Sequence, residues 1–181
     1  LIQSYQDYGH TDFIICLGYK ANTIKQFFLN YRPQIFTDCV LSGSTGNVEL
    51  LSEAEEPWRV TLIDTGVWRN VGERLWAVRE HVKDEEIFLA NYSDGLANVD
   101  LDDMVRRFKE SGKIACFLAV RPLLSYHLAE IDADGSVRGM RSFNRSDIWM
   151  NAGYFVLRAE IFDYMREGED LAVEPFRRLI E

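Results

Sequence analysis

At 181 residues the chain is long enough to bury one substantial core, and its length predicts a single domain. Hydrophobic residues make up 47%, which excludes a disordered chain, and no apolar run approaches the roughly 20 residues that span a bilayer. The net charge of −9 argues against a nucleic-acid backbone as partner. It does not bar an anionic nucleotide, because a site can be locally basic or carry its own metal.

Leu1 to Gly9 has the pattern of a helix tail closed by Gly9. Asp12–Gly18 is a continuous apolar run bounded by turn residues, the signature of a strand buried on both faces. A helix follows from about Asn22, with Ile24, Phe27 and Phe28 on one face. Pro33 to Pro57 is irregular, with short β-like pieces at Cys39–Leu41 and Val48–Leu51. Trp58–Asp64 alternates and is rich in β-branched residues, so it predicts a strand ending in Asp64-Thr65-Gly66. After a loop at Val67–Asn70, a helix is expected from Val71 to Val82, because Val71, Leu75, Val78 and Val82 form one apolar stripe.

The stretch Ile87 to Asp103 organises the rest. Its apolar start reads as a buried strand that delivers Ser93 and Asp94, followed by Gly95, to the C-terminal edge of a sheet, where open α/β sheets bind ligands. A lone carboxylate beside a glycine suits a hard cation such as Mg²⁺; an Asp-Gly turn without chemistry is the simpler alternative. Asp100 caps the next helix, with Asp102 and Asp103 complementing its dipole and Leu101, Met104, Val105 and Phe108 forming its apolar face. Ile114–Val120 reads as a central strand, and Leu128–Asp132 with Val137–Phe143 as a hairpin joined at Asp134-Gly135. Trp149–Leu157 is a further strand, containing Asn151 and Gly153 where packing alone would want neither. A short helix, Ile161–Met165, stops at Gly168, and Glu174-Pro175 opens a last helix. Strands alternating with helices predict a mainly parallel sheet covered on both faces.

Cys16, Cys39 and Cys116 are odd in number, lack metal spacing and read as reduced, buried thiols of a cytoplasmic protein. His10, His81 and His127 are scattered. The chain opens at Leu1 and stops at Glu181 inside helical patterns, with no signal peptide visible, so it reads as a fragment missing both ends. Its polar features gather at predicted strand ends. Gly72 would let a base or sugar approach the backbone, Arg74 would meet a phosphate or a carboxylate, and Asn151 would offer a donor and an acceptor to a sugar hydroxyl. Helix-start geometry, a solvated helix face and an edge-strand polar residue are their respective simpler readings.

The segments from Gly9 to Tyr31, Glu56 to Gly66, Val71 to Leu101, Trp149 to Phe162 and Val173 to Leu179 resemble, in order and over nearly the whole chain, the sugar-phosphate nucleotidyltransferases, and among them the glucose-1-phosphate cytidylyltransferase branch. The resemblance implies a three-layer Rossmann-like fold with a mixed, mainly parallel sheet. It also implies Mg²⁺ as cofactor, a nucleoside triphosphate and a sugar 1-phosphate as partners, and CTP plus α-D-glucose 1-phosphate giving CDP-glucose. A homo-oligomer is expected at full length. Residue by residue, Asp94 matches the family's Mg²⁺-binding Asp, and Ser93 the position before it. Gly72 and Arg74 match the nucleotide-side loop and helix start, and Asn151 with Gly153 the sugar-binding Asn-Gly-Gly, here Asn-Ala-Gly. Glu174 matches the Glu of a Glu-Pro pair. The family's Gly-rich phosphate loop would precede Leu1 and its second metal-binding Asp would follow Glu181. Val71-Gly72-Glu73 replaces Thr-Gly-Gly, and Phe143-Asn144-Arg145-Ser146 stands where Glu-Lys-Pro would grip the sugar phosphate, with Arg145 in the place of the Lys charge. These departures leave open a non-catalytic nucleotide-sugar-binding homologue. A glycosyltransferase using a nucleotide sugar is a third, weaker reading.

Overall fold

The computed structural model describes residues 1–51, 57–123, 125–145 and 147–181, with Arg145 described by its backbone alone. Its elements in chain order are α1 (Ile2–Gln6), β1 (Asp12–Leu17), α2 (Ala21–Leu29), α3 (Pro33–Phe36), β2 (Cys39–Leu41), β3 (Val48–Leu50), β4 (Arg59–Asp64), α4 (Val71–Ala77), β5 (Ile87–Asn91), α5 (Leu101–Ser111), β6 (Ala115–Val120), β7 (His127–Ile131), β8 (Val137–Ser142), β9 (Met150–Arg158) and α6 (Glu174–Ile180). The architecture is α/β, with parallel and antiparallel pairing both present. Two compact units result: Leu1–Asp84 with Glu160–Glu181, and Glu85–Ala159. No helix among the described residues is long and apolar enough to cross a membrane.

In the first unit β1 and β4 pair in parallel, in register from Asp12 opposite Arg59 to Leu17 opposite Asp64. The apolar run of β1 is expected to be buried on both faces, yet only Leu17 is fully buried and Phe13 to Cys16 are half-buried. The apolar residues of α2 meet other rings instead of a closed core. Phe27 and Phe28 join Tyr31, Phe36 and Trp58 in a set of edge-on contacts, with Tyr31 and Phe36 stacked at 5.0 Å. The stripe predicted for α4 is buried at Leu75, Val78 and Val82, while Val71 stays 36% exposed. The helix itself stops at Ala77 and continues as a 3-10 turn over Arg79–His81. Asn70, expected in the preceding loop, is its N-cap. The Asn70 side chain accepts the Glu73 N–H and the Glu73 carboxylate accepts the Asn70 N–H, a reciprocal capping box. Cys39 lies exposed on the short β2–β3 pair, which corrects the expectation of three buried thiols; all three are free.

In the second unit the order is β5-β9-β6, with β9 antiparallel to both neighbours. Burial explains why β9, and not the predicted Ile114–Val120 strand, takes the centre among the described residues. Tyr154 to Leu157 are at most 3% exposed, whereas β6 is nowhere fully buried. Met104 and Phe108 of α5 pack on Val156. The α5 stop is Gly112 at φ 63°, a left-handed C-cap. Its start is the predicted one: the Asp100 side chain accepts the Asp103 N–H at 2.9 Å. Replacing Asp100 by Ala orphans that donor and should cost about 1 kcal/mol, read as a lower denaturant midpoint at unchanged slope. β7 and β8 form the predicted hairpin, closed at Gly135 with φ 86°.

Several carboxyls sit below the usual carboxylate range. Glu73 is held there by the Asn70 N–H and then by Arg69, Glu169 by Arg178, and Asp103 by Arg106 and Arg107. Their folded pKa values lie below the unfolded ones, so the stability they contribute is fully present above the ordinary carboxylate pKa and is lost as pH falls through the lowered values. Melting temperature should therefore be level near neutrality and fall on acidification below roughly pH 4. Glu169→Gln should flatten that acid limb.

Candidate active site

The second unit builds the Asp94 region from the C-terminal end of β5 and the N-terminal end of β9. β6 and β9 pair Phe117 with Phe155 and then Ala119 with Asn151, so Ala152, Gly153 and Tyr154 of β9 lie opposite the single residue Leu118. Asn151 opens this β-bulge and Ala152-Gly153 lie within it. Gly153 adopts φ 77°, and a methyl there would come within 2.6 Å of the Tyr92 ring. The bulge thus demands glycine twice over, by backbone conformation and by space. The Asn151 side-chain oxygen accepts the Gly153 N–H at 2.8 Å, which stiffens the bulge and leaves the amide NH₂ of Asn151 for another partner. The simple edge-strand reading of Asn151 is thereby replaced by a structural role inside the bulge.

The bulge holds the turn that carries Asp94. Before the turn, the Tyr92 N–H donates to the Gly153 carbonyl at 2.9 Å. After it, the Ala97 N–H donates to the Tyr154 hydroxyl at 3.1 Å, and that hydroxyl donates to the Gly95 carbonyl at 3.4 Å. Ser93 and Asp94 form the exposed tip between these ties. The Asp94 carboxylate makes no hydrogen bond or ion pair among the described residues. No three His, Cys, Asp or Glu side chains among the described residues converge to hold a metal. One exposed carboxylate with no cation beside it matches Mg²⁺, which takes one or two carboxylates and completes its shell with water and substrate phosphates. It does not match an all-protein metal cage.

The first unit gathers Gly72, Arg74 and Glu174. Arg74 is no solvated helix face. Its guanidinium folds over the C-terminal ends of the parallel strands, donating to the Leu17 carbonyl at 3.1 Å, the Thr65 hydroxyl at 2.8 Å and the Val67 carbonyl at 3.3 Å. Gly18 makes room for it, since a methyl there would lie 2.7 Å from the guanidinium. Thr65, buried, passes its own proton to the Leu17 carbonyl at 2.9 Å. Arg74 forms no ion pair among the described residues, and two of its five N–H groups remain uncommitted. The Cys16 thiol nearby is pushed up by burial and drawn back partly by the Arg74 charge.

Gly72 requires a correction. It is buried, and a methyl on its Cα would sit 2.2 Å from the Glu169 carbonyl oxygen and 2.7 Å from the Leu171 nitrogen. The space expected to admit a base or sugar is filled by the chain's own backbone. Glu174 lies at the α6 start and accepts the Asp170 N–H at 3.3 Å, in keeping with the helix-start reading. Arg145 ends a 3-10 turn, Phe143–Arg145; its side chain and Ser146 lie outside the described residues.

No family model matches the chain. A glucose-1-phosphate cytidylyltransferase of Salmonella typhi is 37% identical over 164 residues, which is 90% of this chain and 63% of that protein. A probable glucose-1-phosphate cytidylyltransferase of Bacillus subtilis is 32% identical over 181 residues, covering 99% of this chain and 70% of the relative. The chain belongs to the sugar-phosphate nucleotidyltransferase family. It spans a little under two thirds of the length of its Salmonella relatives. Among solved structures, HddC from Yersinia pseudotuberculosis superposes with a TM-score of 0.60 over 96% of this chain and 68% of the other, at 15% identity, a likeness of fold. HddC has also been solved complexed with GMP-PN.

In this member of the family, residues that shape the Asp94 region of the second unit and the Arg74 region of the first go beyond the site residues named from the sequence. Tyr154 follows Asn-Ala-Gly directly, and a tyrosine inside a buried run implies a hydroxyl that needs partners. Thr65 belongs to the Asp64-Thr65-Gly66 cluster expected at a strand end, and its bond to Arg74 is what the structure adds. Asn70 and Glu73 carry the spacing of a capping box, so their signal is present.

Proposed function

We propose that the protein carrying this chain transfers a cytidylyl group from CTP to α-D-glucose 1-phosphate, giving CDP-glucose and pyrophosphate. The observation that carries this reading is the 32–37% identity, over 90–99% of the chain, to relatives named for that activity. The site geometry supports it: Asp94 makes no hydrogen bond or ion pair among the described residues and lies on a turn tied at both flanks to one bulged strand.

A phosphate oxygen of the sugar 1-phosphate attacks the α-phosphorus of CTP in line. The new O–P bond forms as the bond from that phosphorus to the bridging oxygen of the β-phosphate breaks, and pyrophosphate leaves with the electron pair. Such transfers depend on positioning and charge neutralisation. Mg²⁺, when bound, would neutralise phosphate charge. Asp94 is the side chain assigned to hold it, with Ser93 beside the substrates. In the first unit, Arg74 is assigned to a nucleotide phosphate oxygen through its two uncommitted N–H groups. Asn151, through an NH₂ that makes no hydrogen bond among the described residues, is assigned to a sugar hydroxyl. Arg145 remains the candidate for the sugar phosphate and Glu174 a supporting residue.

A second reading, a nucleotidyltransferase with another nucleotide, is favoured by Glu73. Its carboxylate caps the start of α4 and pairs with Arg69, where the family motif carries glycine, so the contacts open to a nucleotide there differ from those of the motif. Pyrophosphate release, screened across four nucleoside triphosphates and several sugar 1-phosphates, tests both readings. Turnover with CTP and glucose 1-phosphate alone supports the first; turnover with a different pair alone rejects it.

A further inference from the structure

We infer that Tyr154 is the positioning residue for Asp94, the side chain whose hydroxyl fixes where that carboxylate is presented. The inference rests on the metal-ligand assignment made above and adds to it the group that sets its geometry. Asp94 sits on a turn closed by the Gly95 N–H to Tyr92 carbonyl bond at 3.4 Å and tied to β9 on each flank. The first tie is a backbone bond, Tyr92 N–H to the Gly153 carbonyl, which no side-chain replacement at Tyr154 removes directly. The second is made by one side-chain atom, the Tyr154 oxygen, which takes the Ala97 N–H at 3.1 Å and gives its proton to the Gly95 carbonyl at 3.4 Å. The two ties start from neighbouring residues of β9, so the bulge and the turn are braced against each other. Tyr154 is 3% exposed and anchored opposite Asn91 in the β5–β9 register, so its hydroxyl is delivered by a rigid strand. Groups that hold a metal-binding carboxylate in place typically change metal affinity by about 10–100-fold when removed.

The hydroxyl is the only part of Tyr154 this role needs. Tyr154→Phe keeps the ring in the core and deletes both loop bonds, and a melting temperature confirms that the fold persists. Two readouts are taken on the same chain: amide hydrogen exchange at Gly95–Ala97, with α5 as internal reference, and affinity for Mn²⁺ in the presence of CTP, followed by paramagnetic relaxation. The expected result is exchange at Ala97 faster by about tenfold or more, α5 unchanged, and Mn²⁺ affinity about tenfold weaker. Asp94→Asn should abolish that Mn²⁺ binding. Wild-type exchange and affinity in Tyr154→Phe overturn the inference, and so does a change in only one of the two. If Asp94→Asn binds Mn²⁺ as wild type does, the metal assignment fails instead, and the exchange at Ala97 alone decides whether Tyr154 holds the turn.

Discussion

Asp94→Ala should lower turnover by on the order of 10²–10³-fold, the scale of losing one group that stabilises developing charge in a transition state. The fold should hardly notice. Asp94 is exposed and makes no hydrogen bond or ion pair among the described residues, and surface substitutions of that kind usually stay within about 0.5 kcal/mol. The turn it rides on is tied by Tyr92, Gly95 and Ala97, none of which the substitution touches. Steady-state rates with saturating Mg²⁺, alongside a melting curve, check both halves. Full activity in the variant removes Asp94 from the reaction, and a collapsed melting temperature makes it structural.

Gly72→Ala should be among the most destabilising single-methyl additions in the chain. Alanine is the better helix former by about 1 kcal/mol, so propensity alone predicts a gain. Sterics reverse the sign. The new methyl would stand 2.2 Å from the Glu169 oxygen and 2.7 Å from the Leu171 nitrogen, both backbone atoms that no rotamer change can move. Overpacking of this kind costs about 1–3 kcal/mol and occasionally more; the backbone contact places Gly72→Ala at the upper end, about 3 kcal/mol. For a domain of this size that corresponds to a melting temperature lower by roughly 10 °C. Gly43→Ala is the control, since nothing lies within 4 Å of a methyl there. Equal melting temperatures for the two variants would show that α4 and the 169–171 segment separate easily.

The elements that can be read from the chain are those whose local pattern agrees with their packing. β4, β5 and α5 match their predicted spans closely, because alternation, apolar runs and the Asp100 cap each point one way. Asn151 and Gly153 stand out as misfits within a strand, and the bulge is the physical content of that misfit. What cannot be read depends on neighbours distant in sequence. No local pattern tells that β9 lies between β5 and β6, that the Gly72 Cα faces Glu169, or that the Arg74 guanidinium turns back onto Leu17 and Thr65. A phosphate, a carboxylate or water is the partner the sequence suggests for Arg74; the neutral acceptors of the chain itself become visible only in the fold.

Those acceptors give the Arg74 strap an unusual response to solvent. Carbonyl and hydroxyl oxygens carry no net charge, so added electrolyte has little Coulomb attraction to shield between them and the guanidinium. Surface pairs such as Arg59 with Asp12 loosen in concentrated salt, while the clasp joining the ends of β1 and β4 keeps its grip. A full positive charge thereby stays fixed in that corner under saline and dilute conditions alike.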